Sequence, residues 1–474
     1  MQSPDMNILN TRAQERPAKS ATHISTTQAE AAVLTPTQAI VLDGAYTLLA
    51  VVACLLLIYA ARHYVFTLHR MFTRQRSLYA NIASAHWPRL AVLVAAHNEE
   101  AVIAGCISRL LGADYPVDRL LIMPMNDRST DGTRDIIDRY ARAHPERLRP
   151  FHRVGGTPGK AAALKDATAL VVSQNLADVI IVFDADYLPG PQLLKQLAAP
   201  FLDPEVGAVM GRVTPQNAGA NLLTRLLELE RSAGYQVDQQ ARFNMGAVAQ
   251  YGGTVGGVRL SALAQVGGWH EHVLAEDTDL TYRLLLKGWR MAYLAHAECH
   301  EEVPENWAVR FRQIGRWAKG HNQALTRYAV DVAARGPIGW TARLDGLALL
   351  GVYAMAPVLL LGWVAAVLVL LMGGDALLTP LTGLLGLTVV AACGCLGNFA
   401  AFFEVAAAVH LDGHSERLRL MPWLLAGFLV SFVAVSKAAW DGLIVDKLLR
   451  RPLKWDKTVR YRRPDAKLGT THGI

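Results

Sequence analysis

Four short polar clusters in this sequence place acids, amides and cations where chemistry can be done. Asp184-Ala185-Asp186 follows the apolar run VIIVF. Two carboxylates flanking one small residue at a strand end can hold a hard divalent cation, which neutralises a diphosphate; a solvated turn is the competing reading of such a pair taken alone. Asn126-Asp127-Arg128-Ser129-Thr130-Asp131-Gly132-Thr133 ends another apolar run. Ser129 or Asp131 caps the next helix, but capping leaves Asp127 without a purpose. Glu276-Asp277 precedes an amphipathic stretch, where the acids either complement a helix dipole or supply a catalytic base. In FRQIGRWAKGH the spacing puts Gln313, Arg316 and Trp317 on neighbouring positions of one helical face. A Trp beside an Arg reads either as an interfacial membrane anchor or as part of a binding surface.

The elements that must position these clusters are apolar runs alternating with polar helical stretches: RLAVLVAAHNEE, DRLLIMPMNDRSTDGT, ADVIIVFDADYLPGP. That alternation, with turn residues at each run's end, predicts a parallel, doubly wound α/β sheet. Ligands bind such sheets at the carboxyl ends of the strands. His97-Asn98-Glu99, Asn126-Asp127 and Asp184-Ala185-Asp186 therefore fall on one edge.

The chain around this unit is more apolar than a soluble enzyme. Of 474 residues, 52% are hydrophobic and 18% charged, with mean hydropathy +0.20, and the apolar excess is concentrated in spans. The run GAYTLLAVVACLLLIYAARHY predicts a transmembrane helix over 44–66. Arg62, Arg70, Arg74 and Arg76 at its end place the adjoining segment in the cytoplasm. Residues 1–43 read as a disordered tail, 67–335 as a cytoplasmic domain, 336–446 as transmembrane or interfacial helices, and 447–474 as a basic tail. Three later apolar runs, 346–372, 377–409 and 421–445, would carry the chain outward after three crossings. The basic tail argues for the cytoplasm, so one run is expected to be re-entrant or split, as Gly394, Gly397 and Asn398 suggest for the second. Lys437 and Asp441, four residues apart in the third, read as an intramembrane ionisable pair lining a path through the helices or as a snorkelling lysine. A net charge of +7 is too small to argue for nucleic acid. Five cysteines without a Cys-x-x-Cys pair suggest neither disulfides nor zinc.

Taken in order, Asp127, Asp184-Ala185-Asp186, Glu276-Asp277 and Gln313-Ile314-Gly315-Arg316-Trp317 resemble the D, DxD, TED, QxxRW series of the membrane-embedded processive family 2 glycosyltransferases, which include cellulose, hyaluronan and poly-N-acetylglucosamine synthases. The resemblance covers about residues 88–330. Lys160-Ala161-Ala162-Ala163-Leu164 and the segment from Gly252 to Gly257 resemble the family's donor-site lysine segment and acceptor-side Gly-Thr loop. The tail Trp455-Asp456-Lys457-Thr458-Val459-Arg460 is similar to one in poly-N-acetylglucosamine synthase relatives, and reads equally as a basic lipid anchor. Two positions depart from the pattern: Ala275 stands where the TED threonine would, and Lys165-Asp166 where an asparagine is usual.

The resemblance implies a GT-A fold (doubly wound, Rossmann-like) and inverting transfer from a UDP-sugar to a growing polysaccharide at the inner membrane. It implies that Asp127, Lys160, Asp184, Gln313 and Arg316 bind the nucleotide sugar and that Asp184 and Asp186 hold Mg²⁺ or Mn²⁺. Asp277 would be the base, with Glu276 and Arg316 also catalytic. Trp317, Gly253 and Thr254 would face the acceptor. A membrane partner subunit or homo-oligomer would widen the path left by so few spans. Transfer of one sugar to a lipid or short glycan is the enzymatic alternative, and a nucleotide-sugar-binding transporter or receptor the non-enzymatic one.

Overall fold

The computed structural model describes residues 35–76, 86–373 and 398–445. The expectations for residues 1–34, Gly394, Gly397, Trp455 to Arg460 and the rest of the basic tail lie outside the described residues. Within them one sheet holds β1 (Leu90–Ala96), β2 (Leu120–Asp127), β3 (Phe151–Arg153), β4 (Val179–Asp184), β5 (Leu188–Pro189), β6 (Val206–Pro215), β7 (Gly256–Arg259) and β8 (Arg290–Glu301). Their spatial order is β3-β2-β1-β4-β7-β6-β8-β5.

Alternating side chains of β1 enter two different cores. Val92 and Val94 join Ile122, Ile181 and Phe183 on one face, while Ala91 and Leu93 join Met123, Met125, Ile180 and Val182 on the other. Helices Ile103–Leu111 and Thr133–Ala143 cover the first face, and Lys160–Ser173 and Glu276–Leu286 the second. Burial on both sides explains why these strands read as unbroken apolar runs. Each fully buried Leu, Ile or Val contributes about 1.5–3 kcal/mol.

β1 to β4 are parallel, as the strand–helix alternation predicts. β7 runs antiparallel to both β4 and β6, so the doubly wound sheet is mixed beyond its first four strands. Glycine makes this insertion possible. A Cβ at Gly257 would meet Ile181 Cδ1 at 2.5 Å, and one at Gly256 the Val209 carbonyl at 2.6 Å. The Gly-rich segment that reads as loop is thus loop only up to Val255, and then a strand pressed between neighbours.

Among the described residues, three helices are long and apolar enough to cross a membrane: Pro36–Phe72, Trp340–Met372 and Ser415–Trp440. The first is longer at both ends than the 44–66 expectation, and begins inside the stretch read as tail. Its start is fixed by a capping box, Thr35 Oγ1 accepting from Gln38 N at 3.3 Å, with Pro36 at the first helical position. Because that first turn is polar, hydropathy alone starts the helix too late. The shorter helix Asn398–Leu411 packs on the first one, through His63 with Glu404 and Tyr64 against Phe403. It is tied to the sheet unit by Asp412, which accepts from Arg212 Nη2 at 2.7 Å and Gln236 Nε2 at 2.6 Å. Lys437 and Asp441 pair with each other at 2.6 Å.

Candidate active site

The carboxyl ends of β1, β2 and β4, the loop before β7, and the helices Glu276–Leu286 and Trp307–Ala334 enclose a cavity of about 500 Å³. Its wall holds Asp127, Lys160, Asp184, Asp186, Thr254, Glu276, Asp277, Gln313, Arg316 and Trp317. Gly253 stands just behind that wall: a Cβ there would lie 3.1 Å from Asp277 Cβ. Four clusters spread over nearly two hundred residues of sequence therefore share one chamber.

At the strand-end side, Asp127 is fixed from three directions. Its Oδ1 accepts from Arg153 Nη1 at 2.7 Å and Arg128 Nε at 2.9 Å, and its Oδ2 from Gly159 N at 3.1 Å. Arg153 is held in turn by Asp166, 2.8 Å from its Nε. The Asp166 that departs from the family pattern thus belongs to the support of Asp127, while Lys165 turns away to Glu271 at 3.1 Å. Lys160, the first residue of its helix, gives Nζ to Asp184 Oδ1 at 2.5 Å and lies 4.0 Å from Glu276. Thr254 Oγ1 accepts from the Asp184 amide at 3.3 Å. Asp186 is buried, and its Oδ2 accepts from the Glu302 amide at 3.2 Å. The two aspartates of Asp-x-Asp consequently have different surroundings: one meets a lysine, the other a backbone amide.

At the opposite side, Asp277 Oδ1 accepts from Thr278 N at 2.6 Å, while Oδ2 lies beside Gly253. The helix Trp307–Ala334 approaches closely because residue 320 is glycine; a Cβ there would meet Ala275 Cβ at 2.6 Å. Small residues at 275 and 320 let the two elements touch, which gives the alanine at the TED threonine position a packing role. Gln313 Oε1 accepts from Arg310 Nη1 at 2.9 Å, and the Arg310 and Arg231 guanidiniums lie 5.3 Å and 5.4 Å from the Trp317 ring centroid. Gln313 therefore reaches the Trp317 indole through Arg310, by a cation–π contact. Arg153, Arg231, His321 and Tyr353 were not singled out by sequence. An arginine in a three-residue strand or a histidine one turn beyond a motif carries no local signal of what lies across the fold.

The sequence profile described as glycosyltransferase-like family 2 matches residues 88–320. The chain carries a family 2 glycosyltransferase domain. Relatives include a β-monoglucosyldiacylglycerol synthase of Synechocystis sp., 32% identical over 268 residues (56% of this chain, 55% of that protein). Glucomannan 4-β-mannosyltransferase 7 of Arabidopsis thaliana is 29% identical over 255 residues (52% of this chain, 45% of that protein). The chain thus spans about half the length of the curated relatives it matches. Among solved structures, the mannosyltransferase PcManGT from Pyrobaculum calidifontis, in complex with GDP-Man and Mn²⁺, superposes with TM-score 0.54 at 21% identity, covering 78% of this chain and 98% of that one. That likeness shows the GT-A type of fold.

Charges in the transferase domain's cavity act on one another. Burial works against the Lys160 ammonium, but the carboxylates of Asp184 and Glu276 outweigh it and hold its pKa above the ordinary lysine value. Burial, aided by Asp277, pushes the Glu276 carboxyl up, against the pull of Lys160. Burial also lowers His321 from 6.5 to about 4, Asp277 opposing and Arg242 assisting. The folded chain thus keeps His321 neutral in a range where the unfolded chain protonates it, so unfolding takes up a proton. Stability contributed by this group is present above about pH 6.5 and declines as pH falls toward about 4. Thermal melts between these limits should be steeper in pH for the wild type than for His321→Asn; equal slopes would contradict the assignment.

Gly253 has φ +73°, a left-handed conformation that disfavours any side chain, and its missing Cβ leaves room for Asp277. Gly253→Ala is expected to cost about 1–2 kcal/mol of stability and, by displacing Asp277, to slow transfer about 10²-fold. A transfer rate equal to wild type would show that the close approach is immaterial.

Proposed function

We propose that this transferase domain moves a hexose, with inversion, from a nucleoside-diphosphate sugar to the growing end of a polysaccharide at the cytoplasmic face of a bacterial inner membrane. In this reading residues 67–335 form the cytoplasmic unit and the apolar helices are multi-pass anchors. One observation carries the reading. The same cavity is lined by Asp127, Lys160 and Asp184 at the strand ends, by Asp277, and by Trp317, His321, Leu349, Val352 and Tyr353, the last three from the second long apolar helix, Trp340–Met372. A donor at the strand ends and an acceptor coming from the membrane side would meet at Asp277.

The residues divide the reaction between them. Asp127, fixed by Arg153 and Gly159, offers a rigid acceptor edge to the nucleoside. Asp277 Oδ2 removes the proton of the acceptor hydroxyl as that oxygen attacks the anomeric carbon. The sugar–phosphate bond breaks on the opposite face, and its electron pair leaves with the diphosphate. Lys160 and Arg316 stabilise that growing negative charge. Asp184 and Asp186 present the hard carboxylate oxygens that suit Mg²⁺ or Mn²⁺, both on the cavity wall. Bound there, the ion would add positive charge at the diphosphate. Glu276, its carboxyl pushed up by burial, keeps Lys160 in place between itself and Asp184. Trp317 would offer its ring edge or face to the acceptor sugar, with Gly253 and Thr254 shaping the opposite wall.

Transfer of one sugar to a membrane lipid is the second reading, favoured by the apolar end of the cavity and by the relative named for glucosylating diacylglycerol. Product size separates the two. Purified protein in nanodiscs is given labelled UDP-glucose, UDP-N-acetylglucosamine or GDP-mannose, the last because the solved mannosyltransferase holds GDP-Man. A high-molecular-weight product is expected; an acceptor lengthened by one sugar would support the lipid reading, and no transfer from any donor would overturn both.

A further inference from the structure

We propose that His321 is an acceptor-binding residue, its Nδ1 forming a hydrogen bond with a hydroxyl of the incoming acceptor and thereby selecting which hydroxyl reaches Asp277. The inference rests on the reading of this cavity as a sugar-transfer site and adds a residue outside the motif series.

The placement of His321 follows from the glycine before it. The contact of Gly320 with Ala275 sets the helix against the turn that precedes Glu276, so that His321 Nε2 lies 3.1 Å from Thr278 Oγ1. Thr278 Oγ1 is 3.3 Å from Asp277 Oδ1 and accepts from Gln250 Nε2 at 3.0 Å. The imidazole is thereby tied to the carboxylate through one hydroxyl. Its ring packs on Tyr353, centroids 4.7 Å apart, and Trp317 sits one helical turn earlier on the same face; all three line the cavity.

Within this arrangement Nδ1 is buried and has no hydrogen-bond partner. Leaving a buried nitrogen unsatisfied costs about 1–3 kcal/mol, which a ligand bond can recover. The class of ligand follows from charge and tautomer. Burial keeps the ring neutral, so Nδ1 accepts where Thr278 Oγ1 accepts from Nε2, and donates where Thr278 Oγ1 donates to Nε2. A hydroxyl meets either case. An anion would be repelled by Asp277 and Glu276 nearby, whereas a neutral polyol or alcohol would not. One bond from Nδ1 to a hydroxyl beside the attacking one would fix the acceptor's rotation above Asp277.

The test uses the full chain in nanodiscs and His321→Phe, which keeps a flat ring against Tyr353 but removes Nδ1, with His321→Asn as a second variant that keeps a polar group. Acceptors are the β-1,4-linked disaccharide of the transferred sugar, its singly deoxygenated analogues, and dioleoylglycerol. For His321→Phe we expect an acceptor KM raised about tenfold, with donor KM and acceptor-independent donor hydrolysis unchanged, and partial recovery in His321→Asn. One deoxy analogue should be penalised by the wild type but not further by His321→Phe. An unchanged acceptor KM, or equal losses in transfer, hydrolysis and donor binding in both variants, would overturn the role. Failure of the wild type to transfer to any hydroxyl acceptor would instead overturn the sugar-transfer reading beneath it.

Discussion

Asp277→Asn is expected to lower sugar transfer about 10²–10⁴-fold while leaving nucleotide binding intact. The amide keeps the shape of the side chain and its bond from the Thr278 amide, 2.6 Å from Oδ1, but cannot take a proton at Oδ2. In the proposed reading the nucleoside meets Asp127, which Gly159 N holds at 3.1 Å, and not this side chain. Calorimetric binding of UDP beside a rate measurement checks both halves. Joint loss of binding and transfer would mean that Asp277 holds the donor, and a near-normal rate would move the base elsewhere.

Lys160→Gln should be nearly as damaging, with transfer reduced about 10²–10³-fold. In the wild type its ammonium stands between Asp184 at 2.5 Å and Glu276 at 4.0 Å, and balances both. Without it, a donor diphosphate meets two uncompensated carboxylates and the leaving group loses a cation aimed at it. Donor affinity should therefore fall together with kcat, whereas acceptor KM should not change. A variant weakened only in acceptor KM would contradict the placement of Lys160 on the donor side.

Part of this arrangement was legible in the sequence because Asp127 and Asp184 directly follow runs buried on both faces. The strand ends at Asp127 and Asp184 declare themselves by an abrupt change from apolar to polar. The motif order supplied the rest of the transferase domain, and all but one of the named candidates line the same cavity. What sequence did not disclose depends on contacts between distant segments. Asp166 looks like a departure in sequence, yet it bears on Asp127 through Arg153, a residue whose burial only the sheet creates. Gly256 and Gly257 look like loop until the closeness of Ile181 and Val209 shows why a strand there needs glycine. Asp184 and Asp186 look equivalent, but the fold gives one to Lys160 and the other to the Glu302 amide. The polar first turn of the helix starting at Pro36 is hidden for a simpler reason: capping geometry, not hydropathy, begins it.

The proposed transfer is a single displacement at the anomeric carbon, with the Asp277 carboxylate as base. Its most direct test is the anomeric configuration of the newly formed linkage, read by NMR on product made from an α-linked nucleotide sugar. A β linkage is the result expected of attack assisted by Asp277 from the face opposite the diphosphate. An α linkage would require retention of configuration and would contradict the account.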